Sequence, residues 1–344
     1  MKVVSLFAGA GGLDRGFENK GFDIAWANEH DKTIWETYQT NHPKTFLDRR
    51  SILNIPLHEI PDCDGVIGGP PCQSWSNAGA LRGIVDTRGK LFFEFVRVIA
   101  AKKPKFFLAE NVPGMLMERH SLVFENIKRL LSGFGYSLTV ALLDAVNFGV
   151  PQNRKRLFFV GYREDLGLTF RFPETITAKL SISDAIGNLN STAMPALLKN
   201  KTNSEACAIF NHEYMTGSFS PMYLSRNRVR NWGQPSFTIP ASGRHIPIHP
   251  QAPKMEKDKS GNMHFVKGKE DLYRRLTVRE CARLQTFPDD FVFKYQDVAD
   301  GYKMVGNAVP VALAEILAAQ IARDLKNEEA KNITLQPAFA CIAA

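Results

Sequence analysis

Three short runs place reactive side chains where apolar segments break off. In Gly68-Gly69-Pro70-Pro71-Cys72-Gln73-Ser74-Trp75-Ser76 a thiol follows two prolines, whose rings fix φ and stiffen the loop. An inert buried cysteine needs no such flanks. Glu110 closes the apolar run Phe106–Ala109, where partial desolvation helps a carboxyl group retain its proton. A thiol nucleophile beside a carboxyl acid suits conjugate addition to an electron-poor ring, with the carboxyl group protonating or hydrogen-bonding the ring as sulfur adds. In Gln152-Asn153-Arg154-Lys155-Arg156, strand alternation would put both arginines on one face, where they could grip an anion or a polarised carbonyl. A solvated pair of surface cations is the other reading.

A fourth run binds rather than reacts. Lys2–Ala8 is apolar and closes on Gly9-Ala10-Gly11-Gly12, ahead of a helical pattern. A glycine turn at a helix start lets a ligand approach the backbone and favours an anionic group. The dinucleotide fingerprint G-x-G-x-x-G fails, because Asp14 stands where its third glycine belongs. Glu29 ends the next strand, where a carboxylate can accept from both hydroxyls of a ribose. Together these suggest an adenosine ligand without a pyrophosphate, such as S-adenosylmethionine; a merely structural tight turn is the alternative.

Alternating elements must position these groups. Strand signals at Lys2–Ala8, Asp23–Asn28, Asp64–Gly69, Lys105–Glu110, Tyr136–Leu143 and Arg156–Tyr162 are separated by helical spacing at Asp31–Tyr38, Leu91–Ala101 and Ser121–Leu131. That pattern predicts an α/β fold with a doubly wound, mostly parallel sheet, whose ligands sit at the carboxyl edge. After about residue 175 proline, serine and asparagine increase and periodicity weakens. We therefore expect a catalytic and cofactor-binding domain over 1–182, completed by a helix at 303–326. A smaller irregular domain spans 183–302, and the tail 327–344 has no pattern and is expected to be disordered or loosely docked.

The chain has 344 residues, 44% hydrophobic and 23% charged, as in an ordinary soluble globular protein. Apolar runs such as Val311–Leu317 are far too short to span a bilayer, so no membrane is expected. The start reads as a strand entering a glycine turn, not as a signal peptide. The cysteines Cys63, Cys72, Cys207, Cys281 and Cys341 form no C-x-x-C pair, which argues against zinc and disulfides and fits a reducing cytoplasm. Net charge is +8. Tyr214–Met255 contains no Asp or Glu but carries Arg226, Arg228, Arg230, Arg244 and Lys254, which favours contact with phosphates or bases.

These pieces, in this order, resemble the cytosine-5 DNA methyltransferases. The motifs are Ser5–Gly12 (SLFAGAGG), Gly69–Ser76 (GPPCQSWS), Glu110–Val112 (ENV), Gln152–Arg156 (QNRKR), Arg274–Glu280 (RRLTVRE) and Gly306–Pro310 (GNAVP). The middle of the chain, with Ser225–Arg230, Ala241–Arg244 and His249–Pro253, is similar to the HaeIII-type enzymes that modify GGCC in restriction–modification systems. The resemblance implies that cytosine is flipped from duplex DNA, that Cys72 attacks carbon 6 and that carbon 5 takes the methyl group of S-adenosylmethionine. Glu110 would hold the ring nitrogen and amino group, Arg156 the carbonyl, and Arg154 would support them. Cofactor contacts would come from Phe7, Ala8, Gly9, Gly11, Gly12, Glu29, His30, Ser51 and Ile52, with Pro71, Leu91, Asn307 and Val309.

Asp86-Thr87-Arg88-Gly89 matches the family's mobile loop, with Arg88 on a phosphate. Arg226, Arg228 and Arg230 alternate, so a strand would point all three one way. Arg228 and Arg244 are the expected guanine readers and Arg226 a reader or phosphate clamp. The implied partners are double-stranded DNA and a companion endonuclease on the same site, with a monomeric enzyme in the prokaryotic cytosol and no metal. Three departures stand out. Arg49-Arg50-Ser51-Ile52 replaces the family's Asp for the adenine amino group, so either Asp48 substitutes or cofactor binding weakens. His30 replaces an aromatic residue over the adenine. Pro240 and His245–Ile248 replace more polar recognition residues. A DNA-binding protein impaired in catalysis and an RNA cytosine methyltransferase are the rival readings.

Overall fold

The computed structural model describes residues 1–71, 89–189 and 192–335. Period-two alternation of apolar side chains builds its central sheet. Val3, Phe106 and Phe158 pack on one face; Val4, Phe107 and Phe159 pack on the other. A sheet buried on both faces needs helices on both.

In chain order the elements are β1 (Lys2–Leu6), α1 (Gly12–Glu18), β2 (Asp23–Asn28), α2 (Trp35–Asn41), β3 (Phe46–Asp48) and β4 (Gly65–Gly68). They continue with α3 (Gly89–Lys102), β5 (Phe106–Asn111), α4 (Ser121–Gly133), β6 (Tyr136–Asp144) and β7 (Lys155–Arg163). The sheet order is β3-β2-β1-β4-β5-β7-β6. The pairs from β3 to β5 are parallel, whereas β7 is antiparallel to both β5 and β6. The direction of β7 follows from its connection. Ala145–Arg154 holds only a short 3-10 turn, too little for a crossover, so the chain doubles back. As a result β7 begins at the edge where β5 ends, and Asn111 pairs with Leu157 and Glu110 with Phe158.

The later elements are α5 (Ile182–Ile186), α6 (Val278–Leu284), α7 (Val298–Asn307) and α8 (Val311–Leu335). The single helix expected at 303–326 is therefore two, parted at Ala308-Val309-Pro310. Proline supplies no N–H to continue the ladder. α8 also runs through Leu335, well into the supposed tail. Asn327-Glu328-Glu329-Ala330-Lys331 is rich in good helix formers, so the helix outlasts its apolar stripe; residues 336–344 lie outside the described residues. By length and hydropathy Val298–Glu328 could cross a membrane, but its apolar face, including Leu313, Ala314, Leu317 and Ile321, is buried against the sheet.

Residues 183–302 do not share one core of their own. Leu189, Ile239, Leu276, Val278, Leu284 and Phe293 pack with Ala10, Ile34, Val305 and Val311, so the boundaries drawn at 182 and 302 cross a continuous apolar cluster. Only Val229, Ile248, Ala252, Met255 and Tyr273, with the half-buried residues around them, form a separate small cluster. The strand expected through Arg226–Arg230 is absent. Val229 makes one isolated bridge to Ile248. Asn227 satisfies the backbone there instead, donating to Val229 O at 2.8 Å and accepting from Met255 N at 3.0 Å.

Helix α1 packs on α8 so closely that a Cβ at Gly16 would lie 2.4 Å from Ala314 Cβ and 2.8 Å from Glu315 N. Gly16→Ala should destabilise the fold by about 1–3 kcal/mol, read as a lower urea midpoint at unchanged slope; an unshifted midpoint would refute the contact.

Candidate active site

The parallel strands bring four chain reversals to one edge of the sheet. After β1 the turn Phe7–Gly12 begins with Phe7 at φ 55°. Gly11 sits at φ 88°, and a Cβ there would fall 2.1 Å from the His42 ring. A Cβ at Gly12 would lie 2.6 Å from Val309 O, so the turn is wedged against the break between α7 and α8. After β2, Glu29 accepts from Gly9 N at 2.9 Å and Asp31 N at 2.7 Å. Burial raises its pKa, and these backbone donors only partly offset that.

Beside them Asp14 is fully buried, receiving hydroxyl bonds from Ser5 and Tyr38, each at 2.6 Å. This is the residue that spoils the dinucleotide fingerprint. Its signal in the sequence was an ionisable group inside a glycine motif.

β4 leads into Gly69-Pro70-Pro71, and β5 ends at Glu110-Asn111. Asn111 donates to Pro70 O at 3.1 Å, which fastens the proline bend to β5. Glu110 is buried and paired with Arg156, Nε to Oε1 at 2.7 Å. Burial raises the pKa of Glu110; the charges of Arg156 and Arg154 pull it back only in part. Cys72, which follows the bend in sequence, and Arg88 lie outside the described residues.

A cavity of about 750 Å³ joins these groups. Of the residues singled out from sequence, Phe7, Ala8, Gly9, Gly12, Glu29, Pro71, Glu110, Arg156, Asn307 and Val309 line it. Gly11, His30, Ser51, Ile52 and Leu91 do not. His30 is exposed, Ile52 is buried in the apolar cluster and Leu91 packs against it. The Asp48 carboxylate is committed to Arg50, whose guanidinium approaches to 2.6 Å. Burial raises the Asp48 pKa, but hydrogen bonds from Arg50 bring it below the usual value.

Arg154 also stands outside the lining. It precedes β7 and so does not follow the strand alternation that would have set it beside Arg156. Its buried guanidinium donates to Ile239 O at 3.1 Å, Gly306 O at 2.8 Å and Ala308 O at 2.9 Å. Nearby, Gln152 accepts from Ile239 N and donates to Leu284 O and Gln285 Oε1.

The arginines of the acid-free stretch part ways as well. Arg226 and Arg244 are exposed. Arg228 lies 4.1 Å over the Tyr223 ring, and Arg230 lies 4.2 Å over Phe237.

Residues 1–323 match the family model of C-5 cytosine-specific DNA methylases. The chain belongs to that family. Its relatives include the type II methyltransferases M.NgoPII of Neisseria gonorrhoeae, 54% identical over 95% of this chain and 96% of that protein, and M.MthTI of Methanothermobacter thermautotrophicus, 52% identical over 95% and 98%. The fold is shared with a DNA modification methyltransferase of an E. coli prophage, at a TM-score of 0.75 and 24% identity over 95% of this chain and 99% of that one. The methyltransferase EhMeth of Entamoeba histolytica shares it too, at a TM-score of 0.67 and 19% identity over 96% and 98%. This chain is thus a type II cytosine-5 DNA methyltransferase of the restriction–modification kind, and membership implies S-adenosylmethionine as methyl donor and DNA as substrate.

In this methyltransferase Arg154 joins the acid-free stretch to the Asn307–Val309 wall of the cavity. Arg154→Met keeps the bulk but takes the side-chain donor from the Ile239 and Gly306 carbonyls and leaves Ala308 O to Gln285 alone, so it should cost about 2–4 kcal/mol of stability. Denaturant titration checks this; a variant as stable as the parent would mean the carbonyls find other partners.

Proposed function

We propose that this enzyme methylates the inner cytosine of GGCC in duplex DNA through a Cys72 adduct. The buried Glu110–Arg156 pair beside the proline bend carries the reading. The pair presents a carboxyl group of raised pKa together with a fixed cation, which suits the amidine-like edge and the carbonyl of a flipped cytosine.

The lining fits the methyl donor. A turn of small residues leaves room for a ligand against the backbone, and Glu29 is held by two backbone amides in a pose open to a ribose. Phe7, Gly9, Glu29, Pro71, Asn307 and Val309 would hold S-adenosylmethionine, which supplies an electrophilic methyl group on a sulfonium for carbon 5 of the base.

The chain's own residues do the rest. The Cys72 thiolate forms a bond to carbon 6. Glu110 hydrogen-bonds the ring nitrogen and amino group and stabilises the electron density that moves into the ring. Arg156 fixes the Glu110 carboxyl group and reaches the cytosine carbonyl. Once carbon 5 carries the methyl group, its proton is lost to base and the sulfur leaves carbon 6, restoring the aromatic ring and the free thiol. Arg228 and Arg244 read guanines in the major groove, Arg226 reads or clamps a phosphate, and Arg88 binds a phosphate. Stacking on Tyr223 pre-orients Arg228, and the exposure of Arg244 leaves its donors available. The enzyme works as a monomer in the prokaryotic cytosol, alongside an endonuclease for the same site.

Duplex DNA carrying 5-fluorocytosine at the inner position of GGCC should become covalently attached to the enzyme in the presence of methyl donor, and Cys72→Ala should abolish the adduct. A wild-type enzyme that leaves this DNA free would overturn the mechanism. Bisulfite sequencing of plasmid from expressing cells should show conversion-resistant cytosine at GGCC; another consensus would overturn the specificity. Arg244→Ala should reduce discrimination against sites altered at one guanine by about 1–3 kcal/mol, measured as the ratio of methylation rates on the two duplexes. Unchanged selectivity would assign this arginine to the backbone.

A further inference from the structure

We propose that Asp14 receives the α-ammonium group of the methyl donor's amino-acid end. This deepens the reading of the cavity as the donor site and rests on it. Among the described residues four carboxylates line the cavity: Asp14, Glu29, Asp31 and Glu110. Two already have cations. Asp31 is held by Lys303 at 2.8 Å and Glu110 by Arg156 at 2.7 Å. Glu29 is oriented by backbone amides at the end of β2, as a ribose acceptor should be. Among the described residues Asp14 is hydrogen-bonded only by the Ser5 and Tyr38 hydroxyls, one neutral donor on each of its two oxygens.

The nearest imidazole, His42, acts on Asp14 only through its charge and makes no hydrogen bond to it. Its ring stacks on Tyr38 with centroids 4.5 Å apart, and its Nδ1 is 3.0 Å from both Glu18 oxygens. A fully buried carboxylate with no cation in hydrogen-bond contact is costly unless an arriving charge pairs with it. The donor brings one. Both hydroxyls keep the Asp14 oxygens in place, and carboxylate oxygens have lone pairs to spare for a further donor. The anchors lie on different elements, Ser5 on β1 and Tyr38 on α2, so the carboxylate is fixed before the ligand arrives. In this chain the site of a lost third glycine thus becomes a ligand contact.

Calorimetry with S-adenosylhomocysteine and its deaminated counterpart, in which hydrogen replaces the ammonium, tests the assignment. The wild-type enzyme should bind the deaminated compound about ten- to a hundred-fold more weakly, the span of a charge-assisted hydrogen bond in a closed site. Asp14→Asn should bring S-adenosylhomocysteine down to that level and leave the deaminated compound unchanged. Glu29→Gln should weaken both ligands by the same factor. If wild type binds the two alike, or if Asp14→Asn weakens both equally, Asp14 only positions the turn and the assignment falls. If wild type binds neither ligand, the donor-site reading itself falls. Should Asp14→Asn not fold, Asp14→Ser is read by the same ratio.

Discussion

Everything at the working edge depends on one buried knot of hydrogen bonds where four segments meet. Gln152 and Arg154 enter from the approach to β7, Gln285 from the end of α6, Ile239 from the acid-free stretch, and Gly306 and Ala308 from the break between α7 and α8. Gln285 donates to Val305 O at 2.8 Å and Ala308 O at 3.2 Å, while Arg154 holds Gly306, Ala308 and Ile239. A Cβ at Gly306 would lie 2.3 Å from the Pro240 carbonyl, so the segments touch backbone to backbone. Carbonyls in irregular segments have no ladder to satisfy them, and a guanidinium with five donors can serve several at once. Arg154 therefore acts as a structural crosslink between the acid-free stretch and the Asn307–Val309 wall of the cavity, one position removed from the strand that carries Arg156.

The chemistry at the edge depends on reversing one strand. Parallel strands deliver Phe7, Glu29, Pro70 and Glu110 as carboxyl ends, which present backbone and carboxylates but no fixed cation. The antiparallel β7 delivers its beginning to the same edge, and with it Arg156. Burial raises the pKa of Glu110, Glu29 and Asp14 alike, yet their surroundings differ. Glu110 meets a permanent cation, Glu29 meets amides and Asp14 meets hydroxyls. One cavity thereby sets three of its carboxyl groups in three different surroundings, a guanidinium, backbone amides and hydroxyls.

Much of this was legible because it is contiguous. The glycine turn, the proline bend and Glu110-Asn111 each lie within a few residues, and strand alternation placed them on one edge. What escaped involves partners far apart in sequence. Arg154 looked like a companion of Arg156, but its acceptors are more than eighty residues away. Asp48 could not be seen to spend itself on Arg50, nor Asn227 to replace a strand with a side-chain-stapled turn. Asp14 read only as a broken motif, because Ser5 and Tyr38 reach it from separate elements. The extension of α8 escaped because its last turns have helix propensity without an apolar stripe.

The acid-free stretch and its neighbours show how irregular chain is held in place. Buried arginines hold it where a sheet would otherwise be needed. Arg275 donates to Gly243, Met215, Gly217 and Ser218 carbonyls and lies 4.0 Å over Phe219; Arg279 holds Phe210, Pro288 and Phe291. Such clamps grip the backbone and ignore side-chain identity. Exposed positions such as Arg226 and Arg244 can therefore change without loss of a ladder or a core contact, whereas a Cβ at Gly243 would fall 2.6 Å from Met215 Sδ and force that side chain to move. The sheet fixes the cavity edge through register, and the clamped loops leave their exposed side chains free to vary.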